Sequence, residues 1–234
     1  MNKFYLEILE AIKQKAKKTK QTSETSGYLG HRHFHYGLSV PQRRVIANAW
    51  IKNNNAISLT KFITLLDLLY RGDSYEEKSM AGLLLGYLPK LRRQLNPKLL
   101  DNWLSYLEGW AEIDSTCQSN FTADEILLKW NDWEKLIKSF ADNKSVSKRR
   151  ASLVLLTGVV NNSNDKRLIG LAFEVIDKLK SERDILITKA VSWLLRNLIR
   201  HNKIRVEKYL DENLDYLPII AIRETKNKLR TGKK

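Results

Sequence analysis

An acidic residue stands among apolar and aromatic neighbours in the segment EGWAEID, which runs from Glu108 to Asp114 in a chain whose formal net charge is +15. On a helix, Trp110, Asp114 and Cys117 share one face, because positions i, i+4 and i+7 lie on the same side. Removing a carboxylate from water among aromatic side chains is costly, so such an acid is expected to serve either the structure or a reaction. A fixed carboxylate in a partly dry site can stabilise positive charge that develops on a bound molecule.

A second group of functional side chains is predicted further along the chain. In ITKAVSWLLRNLIR, the same helical spacing places Lys189, Trp193 and Arg196 on one face. Between the two groups, SVSKRRASLVLL offers Ser145 as a helix cap, followed by the basic run Lys148–Arg150 in the first turns. These three elements together supply two indoles, a carboxylate and guanidinium groups.

Each of these features also has an ordinary structural explanation. A Trp at helical spacing is more often a core residue than a ligand contact. Asp114 could pair with a neighbouring Arg or cap the segment Ser115–Cys117, and Lys148–Arg150 could be a solvated charged face. Spacing alone therefore leaves a structural and a functional interpretation open.

Composition indicates a globular protein with an anionic partner. Of the 234 residues, 43% are apolar and 29% are charged, with 41 Lys plus Arg against 26 Asp plus Glu. Such an excess of basic residues favours a polyanion, either nucleic acid or an anionic membrane surface. The single Cys117 rules out an internal disulfide and fits a reducing cytoplasm. The N-terminal MNKFYLEILEAIKQKAKK predicts an amphipathic helix rather than a signal peptide, and no apolar run approaches the roughly 20 residues of a membrane span.

Helical periodicity dominates the chain, and turn signals interrupt it at fairly even intervals. Read in pairs, the helices repeat about every 35 to 40 residues, in the range of HEAT-like repeats. The sequence therefore predicts a single all-α domain over 1–234, with an N-terminal helix and loop at 1–40 and stacked antiparallel helix pairs at 41–230. Such pairs form a superhelical array with a concave groove, which would be basic here. The pairs are expected at 41–71, 74–107, 110–141, 145–180 and 182–214, with a partial unit at 218–230.

Four motifs along the chain are similar to those of a known family. They are Tyr28 followed by Gly37, Pro41 and Arg44; then Trp110–Asp114; then Arg149-Arg150-Ala151-Ser152; and finally Lys189, Ala190, Trp193, Leu195 and Arg196. In order and separation they resemble the AlkD-type DNA glycosylases, the HEAT-like repeat proteins of DNA alkylation repair. The chain departs from that pattern at Val146 and Ser147, where an aromatic residue often stands.

The resemblance implies a DNA glycosylase of base excision repair. It would hydrolyse the N-glycosidic bond of positively charged alkylated purines, such as 3-methyladenine and 7-methylguanine, in duplex DNA. It implies that Asp114 stabilises the developing charge, that Trp110 and Trp193 press on the deoxyribose or the lesion, and that Arg150 binds a phosphate beside it. Tyr28 would be an auxiliary contact to the DNA backbone. The candidates for the wider set of phosphate contacts are Arg43, Arg44, Lys78, Lys148, Arg149, Lys189 and Arg196.

The implied reaction is physically coherent. Alkylation makes the purine cationic and a good leaving group, so little acid catalysis is needed. Cleavage builds positive charge on the deoxyribose, an oxocarbenium-like state that an ionised Asp114 would stabilise. An indole face attracts a cation, which favours an alkylated nucleotide over a normal one. The resemblance also implies that the base need not be flipped into a protein pocket. The mechanism requires no cofactor. We expect a cytoplasmic monomer.

The segment HRHFH places His31, His33 and His35 on one side of an extended chain. Three imidazoles can bind zinc, but no further Cys or His lies nearby to complete a site, and His201 is distant in sequence. The alternative is a basic, aromatic loop near DNA. We therefore expect no metal.

Other functions stay open. A non-catalytic HEAT-like module that binds DNA or structured RNA needs the basic groove but not Asp114. A protein-binding scaffold, the commonest task of helical solenoids, needs neither the charge nor the Trp–Asp–Arg–Trp set. A membrane-surface role is the least favoured, because the basic residues are spread over many helices.

Overall fold

The computed structural model describes residues 2–16, 30, 32–118 and 120–233. These residues form helices and no strand, apart from an isolated parallel bridge between Phe34 and Ser74. The all-α prediction is therefore confirmed. Tyr28 and His31, which the sequence analysis assigned to DNA contact and to the His-rich segment, lie outside the described residues.

The described part of the chain contains thirteen helices, which are numbered here in chain order. They are α1 (Lys3–Ala16), α2 (Val40–Asn53), α3 (Leu59–Arg71), α4 (Tyr75–Tyr87), α5 (Pro89–Arg92), α6 (Leu99–Leu104), α7 (Gly109–Cys117), α8 (Ala123–Leu128), α9 (Trp130–Ala141), α10 (Val146–Asn162), α11 (Lys166–Leu179), α12 (Ile185–Glu212) and α13 (Ile219–Thr231).

Hydroxyl side chains define the starts of several helices. Ser39, Ser58, Ser74 and Thr122 precede α2, α3, α4 and α8, and each accepts a hydrogen bond from the backbone N–H three residues later. This bond satisfies one of the backbone donors that a helix N-terminus leaves without an intrahelical acceptor. Short polar side chains before apolar runs therefore determine where these helices begin.

The chain divides into two compact units, Met1–Thr116 and Cys117–Lys234. The single domain expected over 1–234 stays a prediction. In the first unit, α1 packs against α2, α3 and α4, and α3 also packs on α6. The apolar stripe of α3 forms much of this core, with fully buried side chains at Phe62, Leu65, Leu66, Leu69 and Tyr70.

In the second unit, α10 is the central helix and packs on α8, α9, α11 and α12. It is buried on all sides from Arg150 to Thr157, as expected for a helix enclosed by its neighbours. The last helix, α13, packs on α12.

The predicted helix pairs agree with the structure at 41–71, where α2 and α3 lie, and at 145–180, where α10 and α11 lie. At 182–214, where a further pair was expected, α12 consists of two helical segments, 185–201 and 203–212, joined at a kink where Asn202 has non-helical geometry (φ −137, ψ 40). The expected pair at 110–141 is three helices, because Thr122 caps an additional short helix, α8. Among the described residues, no helix combines the length and the apolar composition needed to cross a membrane.

Candidate active site

Helix α7 carries the first pair of candidate catalytic residues. Trp110 and Asp114 are half-buried, whereas Ile113 and Cys117 between and beyond them are buried. The helix therefore has an inner face that belongs to the core and a partly accessible face that holds the indole and the carboxylate. The buried Cys117 thiol belongs to the core, although the helical spacing had placed it on the same face as Trp110 and Asp114.

The exposure of Trp110 distinguishes it from the structural tryptophans. Trp50, Trp103 and Trp133 are buried, with at most 5% of their surface exposed. Trp110 and Trp193 are half-buried instead. Their partial exposure is compatible with contact to a ligand, which the core interpretation of a helical Trp would not provide.

Two close contacts fix α7 within the first unit. A side-chain carbon added at Gly82 of α4 would collide with the carbonyl oxygen of Ser115, so the two helices approach to a distance that only glycine allows. The Tyr70 hydroxyl of α3 lies 3.2 Å from Oγ1 of Thr116. The part of α7 that follows Asp114 is thus held by both α3 and α4.

The N-terminal end of α7 is held by a buried carboxylate. Gly109 begins the helix with φ +63, a left-handed conformation that favours glycine. Glu112, whose side chain is fully buried, accepts a 2.8 Å hydrogen bond from the backbone N–H of Glu108. The carboxylate of Glu108 in turn accepts a 3.2 Å bond from the backbone N–H of Arg32.

The segment 32–38, called the histidine segment below, lies against the starts of α4 and α7. His33 Nδ1 is 2.8 Å from Glu112 Oε1, and His35 Nδ1 is 2.8 Å from Glu76 Oε1. Phe34 between them exchanges backbone hydrogen bonds with Asp73 and Tyr75, at 3.2 and 2.8 Å. The two imidazoles therefore contact buried carboxylates on two different helices.

The contacts of His33 and His35 also concern the zinc-binding interpretation of the histidine-rich sequence. Among the described residues, no group of three His, Cys, Asp or Glu side chains is placed to hold a metal ion. His33 and His35 each have a carboxylate neighbour instead.

Glu76 is the acceptor around which the second half of the histidine segment folds. Besides its contact with His35, it accepts hydrogen bonds from the backbone N–H groups of Tyr36 (2.9 Å) and Leu38 (3.0 Å). Burial disfavours the ionised form of Glu76, but the hydrogen bonds and the charge of His35 outweigh it, so the pKa of this carboxyl lies below its ordinary value. The sequence analysis missed Glu76 and Glu112; the signal was an acid in the first turn of each helix.

Two residues predicted to contact phosphate are instead internal. Lys78 is 2% exposed, and its ammonium donates to the carbonyl oxygens of Tyr70 (2.8 Å) and Gly72 (2.6 Å). Arg43 is 5% exposed and donates to the hydroxyl of Ser79. Because both cations are removed from solvent and serve internal acceptors, the structure does not support the predicted phosphate contacts of Lys78 and Arg43. Arg44, the next residue along α2, is exposed.

In the second unit, Ser145 is the N-cap residue of α10 as predicted, although its side chain makes no capping bond within the described residues. Lys148 and Arg149 are half-buried. Arg149 pairs with Glu182 at 2.6 Å and donates to the carbonyl oxygens of Asn143 and Lys144. Part of the basic run predicted for DNA therefore stabilises the turn before α10.

Arg150 connects α10 with α12. Its side chain is 4% exposed, and NH1 donates a 2.5 Å bond to the carbonyl oxygen of Leu186 in the first turn of α12. This contact lies two turns before Trp193 on the same helix. The geometry therefore makes Arg150 a positioning residue for α12 and limits a phosphate contact to the small exposed part of the guanidinium.

The helical face of α12 that carries Trp193 becomes less exposed toward the C-terminus. Lys189 is exposed, Trp193 is half-buried and Arg196 is 9% exposed. Arg196 donates to the carbonyl oxygen of Ser192 and pairs with Glu224 of α13, both at 3.2 Å. Trp110 in the first unit thus shares a helical face with Asp114, and Trp193 in the second unit shares one with Lys189; Trp130 of the second unit is half-buried as well.

Comparison with known proteins identifies the family to which the chain belongs. A family model described as "DNA alkylation repair enzyme" matches residues 8–229. The chain belongs to this family, and its role lies in DNA alkylation repair.

The fold is similar to that of a solved structure described as "Predicted DNA alkylation repair enzyme from Enterococcus faecalis". The TM-score is 0.73 over 89% of this chain and 94% of that chain, at 19% sequence identity. At that identity the likeness concerns the fold alone. The comparison with curated proteins found no match.

Proposed function

We propose that the protein is a DNA glycosylase that excises positively charged alkylated purines from duplex DNA. The observation that carries the proposal is the outer face of α7, where Trp110 and Asp114 are both half-buried while their neighbours Glu112 and Ile113 are fully buried. A carboxylate at such a position is partly withdrawn from water yet within reach of a ligand, as stabilisation of a developing cation requires.

The reaction needs a counter-charge more than an acid. The bond between the deoxyribose and the cationic purine breaks with both electrons leaving on the base, which becomes neutral. The positive charge passes to the sugar, where Asp114 stabilises it until water adds and releases a proton. The products are the free base and an abasic site.

The two indoles supply recognition of the charged nucleotide. Trp110 lies one helical turn before Asp114, and Trp193 lies one turn after the exposed Lys189. An indole face held near the lesion attracts its positive charge, with an estimated benefit of about 0.5–2 kcal/mol. An uncharged purine lacks that benefit, which supports selectivity for alkylated bases.

The DNA backbone is bound by the basic residues that remain accessible. We assign phosphate contacts to Arg44, Lys148 and Lys189, which are exposed or half-buried. Arg149 adds charge at the start of α10, although Glu182 offsets part of it. The auxiliary contact of Tyr28 and the monomeric state stay predictions.

The proposal is tested by release of free base from duplex DNA that contains 7-methylguanine or 3-methyladenine. We expect release by the wild type and loss of most release in Asp114→Asn, with DNA affinity retained. Asp211→Asn, which removes the same charge at an exposed position of the second unit, is the control and should behave as wild type. Binding without release by the wild type would replace the glycosylase with a non-catalytic nucleic-acid-binding module.

A further inference from the structure

A cleft of about 700 Å³ lies in the second unit where α13 packs on α12. Its walls carry more positive than negative charge. They are formed by Arg196, Arg223, Glu224, Lys226, Asn227 and Arg230. Apart from Arg196, these residues belong to α13, which the sequence analysis did not consider for binding.

The basic side chains of α13 form a row on one face. Arg223, Lys226 and Arg230 are exposed and stand at i, i+3 and i+7, so they share one side of the helix. The opposite side is anchored in the unit, with Ala221 and Thr225 fully buried. The row is therefore presented by a helix that is fixed beneath it.

The carboxylate of the cleft is already engaged. Glu224 Oε2 accepts a 2.5 Å bond from the Ser192 hydroxyl and lies 3.2 Å from a guanidinium nitrogen of Arg196. Glu224 thus ties α13 to α12 and balances the buried Arg196. Its charge is directed inward, to a partner in the core, instead of toward the exposed row.

The helix dipole does not account for this row. Cations are favourable in the last turn of a helix, where Arg230 lies. Arg223 and Lys226 stand in the first half and the middle of α13, where the dipole gives a cation no benefit. The dipole therefore gives no reason for these two cations, and the open cleft beside them has the size to admit an anionic group.

We propose that the α13 cleft binds successive phosphodiester groups of a DNA strand and extends the DNA contact beyond the Trp193 face. The proposal rests on the proposed function. Arg196 joins the two surfaces, because it lines the cleft and lies one turn after Trp193 on α12. From Arg223 to Arg230 the helix rises about 10 Å. Since one strand carries a charge for about every 3.4 Å of duplex axis, the row matches the length of about three phosphates.

The test compares two variants of equal net charge. Arg223→Ala/Lys226→Ala removes two cations from the row, and Lys203→Ala/Lys208→Ala removes two exposed cations from the second half of α12, away from the cleft. Affinity for an undamaged duplex is measured by fluorescence anisotropy over a series of salt concentrations. We expect the first variant to bind roughly tenfold more weakly than the control in low salt, and the slope of log affinity against log salt to fall by about 1 per lost contact.

Equal affinities and slopes for the two variants would overturn the proposal and make the row a solvated face. A second arm uses pyrophosphate as the probe and thermal unfolding as the readout. If pyrophosphate stabilises the wild type but not Arg223→Ala/Lys226→Ala, while both variants bind DNA alike, the cleft takes a small phosphate compound and the strand assignment fails.

The result of this binding test can be distinguished from the result of the base-release test of the proposed glycosylase. Undamaged DNA is used for binding, so the result does not depend on excision. Failure of base release combined with a lower salt slope for Arg223→Ala/Lys226→Ala would leave the cleft assignment in place and remove only the glycosylase. A wild type that binds no duplex at all would remove both.

Discussion

His33 Nδ1 lies 2.8 Å from Oε1 of Glu112, a carboxylate with no solvent exposure in the first turn of α7. Glu112 stands two residues from both Trp110 and Asp114. The histidine segment is therefore attached to the helix that carries the candidate catalytic pair. We therefore expect any effect of this imidazole on the pair to pass through Glu112 and the start of α7.

Replacing His33 with Ala is expected to disturb this attachment. Loss of one partner of a buried carboxylate costs about 1–3 kcal/mol, so the free energy of unfolding should fall by that order. We also expect slower excision at saturating enzyme with little change in DNA affinity, because α7 loses a constraint and no phosphate contact is removed. Single-turnover excision, anisotropy and urea unfolding measure these three quantities.

Two controls accompany His33→Ala. His33→Gln keeps an amide donor near Glu112 and should restore part of the excision rate, whereas His33→Leu, which fills similar space without a donor, should not. His201→Ala removes an exposed histidine of the second unit and should leave all three quantities unchanged. Wild-type excision by His33→Ala would show that α7 does not depend on this contact.

The stability of the first unit is expected to depend on pH through Glu76. Its pKa is lowered in the folded protein, so at mildly acid pH the folded state binds fewer protons than the unfolded state. The resulting stabilisation is fully present above the ordinary value of 4.5 and is lost as the pH falls through the native pKa. The free energy of unfolding should therefore drop more steeply below about pH 5 in the wild type than in Glu76→Gln.

Urea unfolding from pH 7 to pH 3 measures this difference. Since the other carboxyl groups are the same in both proteins, their contribution cancels in the comparison. Parallel pH profiles for the two proteins would show that Glu76 is not held in its ionised form by the histidine segment.

Substitutions of Lys78 and Arg44 are expected to change different properties. A change at Lys78 should lower the stability of the fold, and a change at Arg44 should weaken DNA binding. The pKa of Lys78 is lowered by burial, against the opposing effect of nearby carboxylates, which fits a cation that serves internal carbonyl groups. Lys78→Met should leave the carbonyl oxygens of Tyr70 and Gly72 without this donor and reduce the free energy of unfolding by about 1–3 kcal/mol. Its salt dependence of DNA binding should match that of the wild type.

Arg44→Ala should have the opposite profile. Its side chain is exposed, so the free energy of unfolding should hardly change, while the slope of log affinity against log salt should fall by about 1. A reduced salt slope for Lys78→Met would restore the phosphate contact that the sequence suggested for it.

The sequence predicted the helical class correctly because periodicity and caps are local. The apolar spacing of Phe62, Leu66 and Leu69 and the cap at Ser58 suffice to place α3. Exposure is different, because it depends on what packs over a helix. Lys78 and Arg44 look alike as isolated basic residues, yet one lies in the core and the other in solvent.

The same reason explains what the sequence did not reveal about the site. Glu76 and Glu112 are brought against the histidine segment by contacts between residues about 40 and 79 positions apart, as with Tyr36–Glu76 and His33–Glu112. No local pattern encodes such pairs. The half-buried positions of Trp110 and Trp193 likewise follow from the packing of their helices, although their spacing to Asp114 and Lys189 was readable from the sequence.

Substitutions of Arg150 test whether excision depends on the geometry or on the charge of this side chain, which connects α10 with α12. Its NH1 donates a 2.5 Å bond to the Leu186 carbonyl oxygen, two turns before Trp193. Arg150→Lys keeps the positive charge but cannot reproduce the planar donor geometry of the guanidinium. Because a misplacement of about 1 Å can slow catalysis about a hundredfold, we expect excision to fall by roughly ten- to hundredfold.

The salt slope of DNA binding for Arg150→Lys should stay near that of the wild type, since no charge is lost. Arg200→Lys makes the same exchange at an exposed position of α12 and should leave excision unchanged. If Arg150→Lys excises like the wild type while Arg150→Ala loses affinity and salt slope, then charge alone is required. Arg150 would in that case be a phosphate contact, as the sequence first suggested, and the positioning of Trp193 would rest on the packing of α12 against α10.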